Sequence, residues 1–415
     1  MNYSSVADLA ASLAAGETVF IAGCAGEPVE LTQLLQSEPS LATGVRFIAS
    51  FVAGINTRNI VAAETRRLRV FFMQPEYRAA RAQNRVEFSP LSYYGVQQYL
   101  AHPDTALDAA IVQVSEPDEH GAYSLGPSAE FMPTVLQRAR RVLGIVNPRI
   151  PRLAGAMQIP RSRFAMLARS EVPLPTYDAG ASNEATERIV SFLLPLIPSG
   201  ATLQVGLGKV PNQLMPALAS RRDLRLHSGM LSDSMLPLLD AGALDPQAPI
   251  VAGVIVGSEA LYQRLPAISR LEVHGVEHTH APAVLAATPR LHAINSAIEV
   301  DLAGAVNAEM LNGKHVSGPG GLPDFAHAAS RQADGLSIIA LNAIDASGKH
   351  SRIVAQFAAG TATSVPQHSV DVVVTEFGAA MLRGQDLDER RRRMAAIAHP
   401  DHRDALLAAA QQMRG

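Results

Sequence analysis

The chain has 415 residues, 47% of them hydrophobic and 18% charged, with a formal net charge of −3. That length exceeds what one compact core normally serves and predicts two domains, while the slight negative charge and scattered basic residues argue against a nucleic-acid partner. The only cysteine is Cys24, which excludes a disulfide framework and a cysteine-based zinc site and fits a reducing cytoplasm.

The opening stretch MNYSSVADLAASLAAG predicts an amphipathic helix, with serine near its start and Gly16 at its end, and lacks the basic-then-apolar plan of a signal peptide. Short β-branched runs then alternate with Ala/Leu-rich helical stretches: TVFIAG, VRFIASF, RLRVFFM and AAIVQVS in the first half. TLQVGLG, LRLHSG, IVAGVIVG, LSIIALNA and VDVVVTE follow in the second. Such alternation predicts an α/β fold with mainly parallel sheets. Between Pro148 and Asn183 the rhythm lapses into a Pro- and Arg-rich passage, so the boundary is expected near Ala181, giving domains 1–180 and 181–415. The most apolar run, FLLPLIP (Phe192 to Pro198), is too short and too proline-broken to cross a bilayer. A soluble protein without a membrane partner is expected. The basic run Arg390 to Arg393 follows Asp388 and Glu389 and stands alone.

The halves look duplicated. Ala14–Leu35 lines up with Pro198–Leu218 as glycine, strand, glycine-rich turn, proline and helix; Ala109–Gly126 lines up with Ser337–Val354 as strand and glycine turn carrying His and Ser. Two similar domains predict a ligand in the cleft between them.

In QVGLGKVP a buried strand delivers Gly206 and Gly208 into a turn, after which Pro211 is expected to open a helix. Glycines there let backbone N–H groups approach an oxygen carrying negative charge. SGPGGLPDF (Ser317 to Phe325) is a second rigid, backbone-exposing loop, with Asp324 as the expected cap of the following helix. The only lysines, Lys209, Lys314 and Lys349, each follow a glycine, which suits solvent exposure or contact with a phosphate-bearing ligand.

Over nearly its whole length the chain resembles the acetyl-CoA hydrolase / 4-hydroxybutyrate CoA-transferase family of class I CoA-transferases. The motifs carrying the resemblance are QVSEPDEHGAYSLG, VGLGKVP, HSGMLSDS, HTHAPAV, INSAIEVDLAGAVNAE, SGPGGLPDF, SRIV and VVTEFGAAMLRG. The resemblance implies two α/β domains of the CoA-transferase type, an active site between them, and coenzyme A lying mainly along the C-terminal domain. It further implies an oxyanion site at Gly208, Gly320 and Gly321. Contacts to the CoA thioester would come from Gly206, Lys209, Val210, Gly318, Pro319, Leu322 and Arg352, with Lys209 and Arg352 meeting phosphate. A homodimer is the state common in the family.

One position departs from the family's pattern. The strand after the GxGxxP loop ends there in His-Ser/Thr-Glu-Met, followed by Ser-Asp-Gly, and the glutamate is the nucleophile. Here the stretch reads HSGMLSDS: Gly229 stands at the glutamate's place and Ser234 at the final glycine's. Exchange of CoA through an acyl-glutamyl anhydride and a glutamyl-CoA thioester needs an acylatable carboxylate, and glycine has none. Glu299, Glu277 and Asp233 are alternative carboxylates, Glu299 with a structural role favoured. In a strand His227 shares a side with residue 229 while Ser228 points away, making His227 the candidate base, although a packing role is as well supported. A trimmed glutamate would leave room for a water or an acceptor.

Several readings stay open: direct acyl transfer from a thioester, on CoA or on an acyl carrier protein, to a small bound acceptor; a conventional CoA-transferase or hydrolase using another carboxylate; a non-catalytic acyl-CoA binder; and a glycine introduced by engineering, against which Ser234 weighs. No metal is expected, because His274, His278 and His280 read as hydrogen-bonding residues.

Overall fold

A computed structural model describes residues 3–413. The chain forms two compact units. The first comprises Met1–Asp178, Pro249–Thr279 and Val316–Gly320, and the second Ala179–Ala248, His280–His315 and Gly321–Gly415. The chain passes from the first unit to the second at Asp178/Ala179 and then returns twice to the first.

In the first unit, strands β1 (Thr18–Ile21), β2 (Arg46–Ala49), β3 (Arg67–Val70), β4 (Val86–Phe88) and β5 (Ala109–Val114) join two strands from further along the chain. These are β7 (Arg141–Val146) and β9 (Phe164–Arg169), in the order β4-β3-β2-β1-β5-β7-β9, parallel throughout. A small antiparallel pair, β6 (Ala122–Ser124) with β8 (Gln158–Pro160), lies beyond β5. The period of two decides the packing: Val19, Ile21, Phe47, Ala49, Leu68 and Val70 sit in one core cluster with Leu9, Leu31 and Leu35 from the helices Val6–Ala11 and Val29–Ser37.

The first helix is shorter than its sequence suggests. Ser5 and Asp8 form a capping box, and the helix ends at Ala11, well before Gly16; Met1 and Asn2 lie outside the described residues. Strand β9 runs through FAMLAR, inside the passage that reads as irregular. It is the terminal strand of the sheet, its burial is uneven and its register slips at Val142/Leu143, so the alternation that marks a strand is blurred.

Arg66 is fully buried and holds this unit's loops. Its guanidinium donates to the carbonyls of Leu35, Glu38, Leu41 and Ile60, satisfying acceptors left open at the end of the Val29–Ser37 helix. The unit also holds the parallel pair β12 (Ile250–Ile255) and β13 (Leu271–Val273).

In the second unit β10 (Thr202–Val205), β11 (Arg225–Leu231), β14 (Leu291–Asn295), β19 (Leu336–Ala340) and β21 (Val372–Thr375) run in the order β11-β10-β14-β19-β21. Their pairing is parallel, and the antiparallel β22 (Gly378–Met381) closes the series. Shorter strands β15 (Glu299–Asp301), β16 (Val306–Asn307) and β20 (Ile353–Val354) make a separate small sheet, and β17 (Met310–Leu311) with β18 (Lys314–His315) a hairpin. Among the described residues no helix is long and apolar enough to cross a membrane.

The order β2-β1-β5-β7-β9 repeats as β11-β10-β14-β19-β21, so β1 corresponds to β10, as the first sequence match has it. The second match does not hold. It pairs β5 with β19, yet β5 neighbours β1 whereas β19 is separated from β10 by β14. A strand followed by a polar glycine turn recurs too often in such folds to fix register.

Candidate active site

Ligand sites in parallel α/β sheets form at the carboxyl ends of the strands. In the second unit β10 ends at Val205 and passes directly into Gly206. A Cβ at Gly206 would meet no atom within 4 Å, so the position borders open space. Gly208 has φ +132°, a conformation that side chains rarely adopt, and caps the helix Lys209–Ala217. The helix therefore starts two residues before the expected Pro211, which sits in its first turn, where a missing N–H still breaks no helical bond. Lys209 is exposed, Val210 and Arg352 are half-buried, and the Lys209 and Arg352 side chains make no hydrogen bond or ion pair among the described residues. Below the turn, Gln204 and Asn295 exchange reciprocal amide hydrogen bonds (3.1 and 2.9 Å), locking β10 to β14.

Gly229 lies within β11, two residues before its end, and is no turn. Ser228 faces away and donates to the Val205 carbonyl (2.8 Å), while the His227 ring lies edge-on to Phe325 with centroids 6.3 Å apart. The space beside Gly229 is occupied. A Cβ there would lie 2.7 Å from Cε1 and 2.8 Å from Nε2 of His280, and 3.7 Å from Phe325. The expected room for a water or acceptor at this spot is therefore filled by an imidazole.

His280 is 2% exposed and packs edge-to-face on Phe325 (4.8 Å). Its ring also abuts Gly321, where a Cβ would fall 2.5 Å from Nε2 and 2.9 Å from Cδ2. Burial, reinforced by His227, pushes its pKa down to about 3, so the ring is neutral at physiological pH. Glycine at both 229 and 321 is thus a condition of this packing. His274, by contrast, bonds Glu272 (2.9 Å) and stacks on His278 (4.3 Å).

The SGPGG loop divides between the units: Gly318 and Gly320 belong to the first, Gly321 to the second. Gly318 is pressed against the Phe71 carbonyl, 2.0 Å from where a Cβ would sit. Gly320, at φ +59°, accepts from the Tyr93 N–H (2.9 Å). Pro319 is buried, and Leu322 packs into a core cluster of the second unit. The next helix, Leu322–Ser330, is capped by Gly321; Asp324 lies in its first turn and is not the expected cap. Gly318→Ala should destabilise the first unit by about 2 kcal/mol, as overpacking against backbone does, read by urea unfolding. Stability within 0.5 kcal/mol of the parent would count against this tight seat.

The alternative carboxylates lie elsewhere in local structure. Glu299 accepts from Asn307 (3.0 Å), and the Glu277 carboxyl folds back over Gly275. Asp233 begins the short 3-10 turn after β11.

A second polar cluster sits at the carboxyl ends of β1 and β2 and escaped the sequence reading. Glu130, 1% exposed, accepts from Ser50 Oγ (2.5 Å) and the Tyr93 hydroxyl (2.9 Å), and burial outweighs these bonds to bring its pKa up to about 7. Gly23 N–H donates to Ser50 Oγ (3.0 Å). Burial and the neighbouring Glu130 push the Cys24 thiol up, so it is no thiolate nucleophile. No sequence motif distinguishes Glu130, which stands in an ordinary-looking SAEF.

The two mainly parallel sheets make an α/β protein, and its fold matches that of solved CoA-transferase structures. The Acetyl-CoA hydrolase/transferase N-terminal domain matches residues 2–168 and the corresponding C-terminal domain residues 257–410. The chain belongs to the acetyl-CoA hydrolase/transferase family. It is 30% identical over 396 residues to the 4-hydroxybutyrate coenzyme A transferase of Clostridium kluyveri, covering 94% of this chain and 92% of that protein. Among solved structures, RipA from Yersinia pestis superposes with a TM-score of 0.90 at 26% identity, over 99% and 97% of the two chains. The 4-hydroxybutyrate CoA-transferase of Porphyromonas gingivalis gives 0.80 at 26% identity with the same coverage.

Proposed function

We propose that this protein acts on acyl-CoA, or on an acyl group carried by a carrier protein, and transfers the acyl group directly to a bound acceptor without an acyl-enzyme at position 229. The reading is supported by Gly229 in β11, at the place where the resemblance expects a nucleophilic glutamate, and by the neutral His280 ring that abuts this glycine. Support for retained thioester binding comes from the glycine turn, with Gly206 bordering open space and Lys209 and Arg352 uncommitted. Backbone N–H groups at Gly208 and Gly321 would polarise the thioester carbonyl, each well-placed donor contributing roughly 3 kcal/mol in the transition state.

The test is steady-state kinetics with acetyl-CoA and butyryl-CoA against alcohol, amine and carboxylate acceptors. Intersecting double-reciprocal lines and no borohydride-trappable glutamyl-CoA adduct are expected; parallel lines with a trapped adduct would overturn the reading. Gly206→Val should raise KM for acyl-CoA at least tenfold while leaving thermal unfolding unchanged, and an unaltered KM would remove the loop from the site. The same His280 infill favours a second reading, a binder that holds acyl-CoA without turning it over. Calorimetric binding with no consumption of thioester by any acceptor, water included, would establish that alternative.

A further inference from the structure

Resting on the direct-transfer reading, we infer that His280, whose ring abuts Gly229 and Gly321, is the catalytic base of this chain, and that its acceptor is a small alcohol or amine. Three observations support this. The ring edge bearing Nε2 abuts both glycines, so the imidazole stands where a side chain from position 229 would begin. His280 also lines a cavity of about 400 Å3, bounded by the helices Pro282–Ala287 and Leu322–Ser330. Finally, its orientation is fixed by Phe325, the same residue that the His227 ring meets.

The cavity indicates the acceptor's chemistry. Pro282, Leu285 and Val365 give it apolar walls. Asp324, His327, Arg331 and Gln332 also line it, Asp324 and His327 one helical turn apart, and His327 Nδ1 lies 3.2 Å from Ser369 Oγ. That combination suits a short apolar body ending in one hydroxyl or amino group.

In the reaction, the acceptor oxygen or nitrogen attacks the thioester carbonyl carbon as the neutral imidazole takes its proton. The carbon–sulfur bond then breaks, and the imidazolium returns the proton to the departing thiolate. The products are an acyl ester or amide and free CoA thiol, with no redox change and no second cofactor. A thioester carbonyl bound beside the ring would, as negative charge develops on its oxygen, raise the ring's basicity during attack.

The experiment measures CoA release from acetyl-CoA and butyryl-CoA with ethanol, propanol, ethanolamine and propylamine, comparing the parent with His280→Ala. The expected result is a fall in kcat of about 10²–10⁴ with KM for acyl-CoA changed less than threefold. Added imidazoles should restore turnover in proportion to their basicity. Gly229→Ala serves as the second variant, since its methyl displaces the ring without removing it; kcat should drop at least tenfold. His280→Ala turnover within threefold of the parent, or rescue indifferent to imidazole basicity, would overturn the role of His280 while leaving direct transfer standing. Absence of turnover by the parent with every donor and acceptor would overturn both.

Discussion

Gly229→Glu alone will not produce CoA exchange between acetyl-CoA and butyrate, whereas Gly229→Glu combined with His280→Ala will raise exchange at least 10³-fold above either single variant. The sequence by itself suggests the opposite for the single change, because returning a carboxylate to β11 supplies the group that anhydride formation needs. The packing decides otherwise. The first side-chain carbon of a glutamate would lie 2.7 and 2.8 Å from the His280 ring, closer than such contacts occur, and the ring is itself seated against Phe325 and Gly321. Overpacking of this kind costs about 1–3 kcal/mol and displaces the new side chain from its productive rotamer. Removing the imidazole clears that space. Exchange by the single variant at the rate of the double variant would show that His280 yields freely, and the coupling between the two positions would then be wrong.

Stability of the first unit should fall as pH rises from about 4.5 to about 7, and Glu130→Gln should abolish most of that fall. The folded carboxyl has its pKa raised to about 7 by burial, against an ordinary 4.5. Between those values the unfolded chain has released its proton and the folded chain has kept it, so higher pH favours unfolding. A difference of about 2.5 pH units corresponds to about 3 kcal/mol, all of it lost by pH 7 to 8 and recovered below pH 4.5. Urea titrations of parent and variant at pH 5 and pH 8 measure the difference directly, and parallel pH profiles for the two proteins would refute the assignment. Ser50 and Tyr93 donate to Glu130, so Glu130→Gln keeps one acceptor oxygen for them.

Much of the architecture was legible in the chain. The β-branched runs became strands because their alternate residues could share one core face, as Val19 and Ile21 do with Phe47 and Ala49. The terminal strand β9 was missed because an edge position tolerates exposed and charged residues, which erases the period. Gly229 stood out in the sequence as a departure from the pattern that the resemblance implies, and its packing against His280 did not. Which side chain takes up the space depends on three segments meeting at Gly229, His280 and Gly321, positions separated by tens of residues. Glu130 was invisible for a related reason: its perturbation comes from burial among Ser50, Tyr93 and Gly23, and no local spacing encodes it.

The isolation of Cys24 has a practical side. It is the chain's sole thiol, has no solvent exposure, and its backbone N–H is tied to Asn56 in the loop that follows β2. Colorimetric thiol reagents will therefore register liberated coenzyme A with little contribution from native protein. Should the same reagents begin to consume one equivalent per chain, they would be timing the opening of the first unit around that loop.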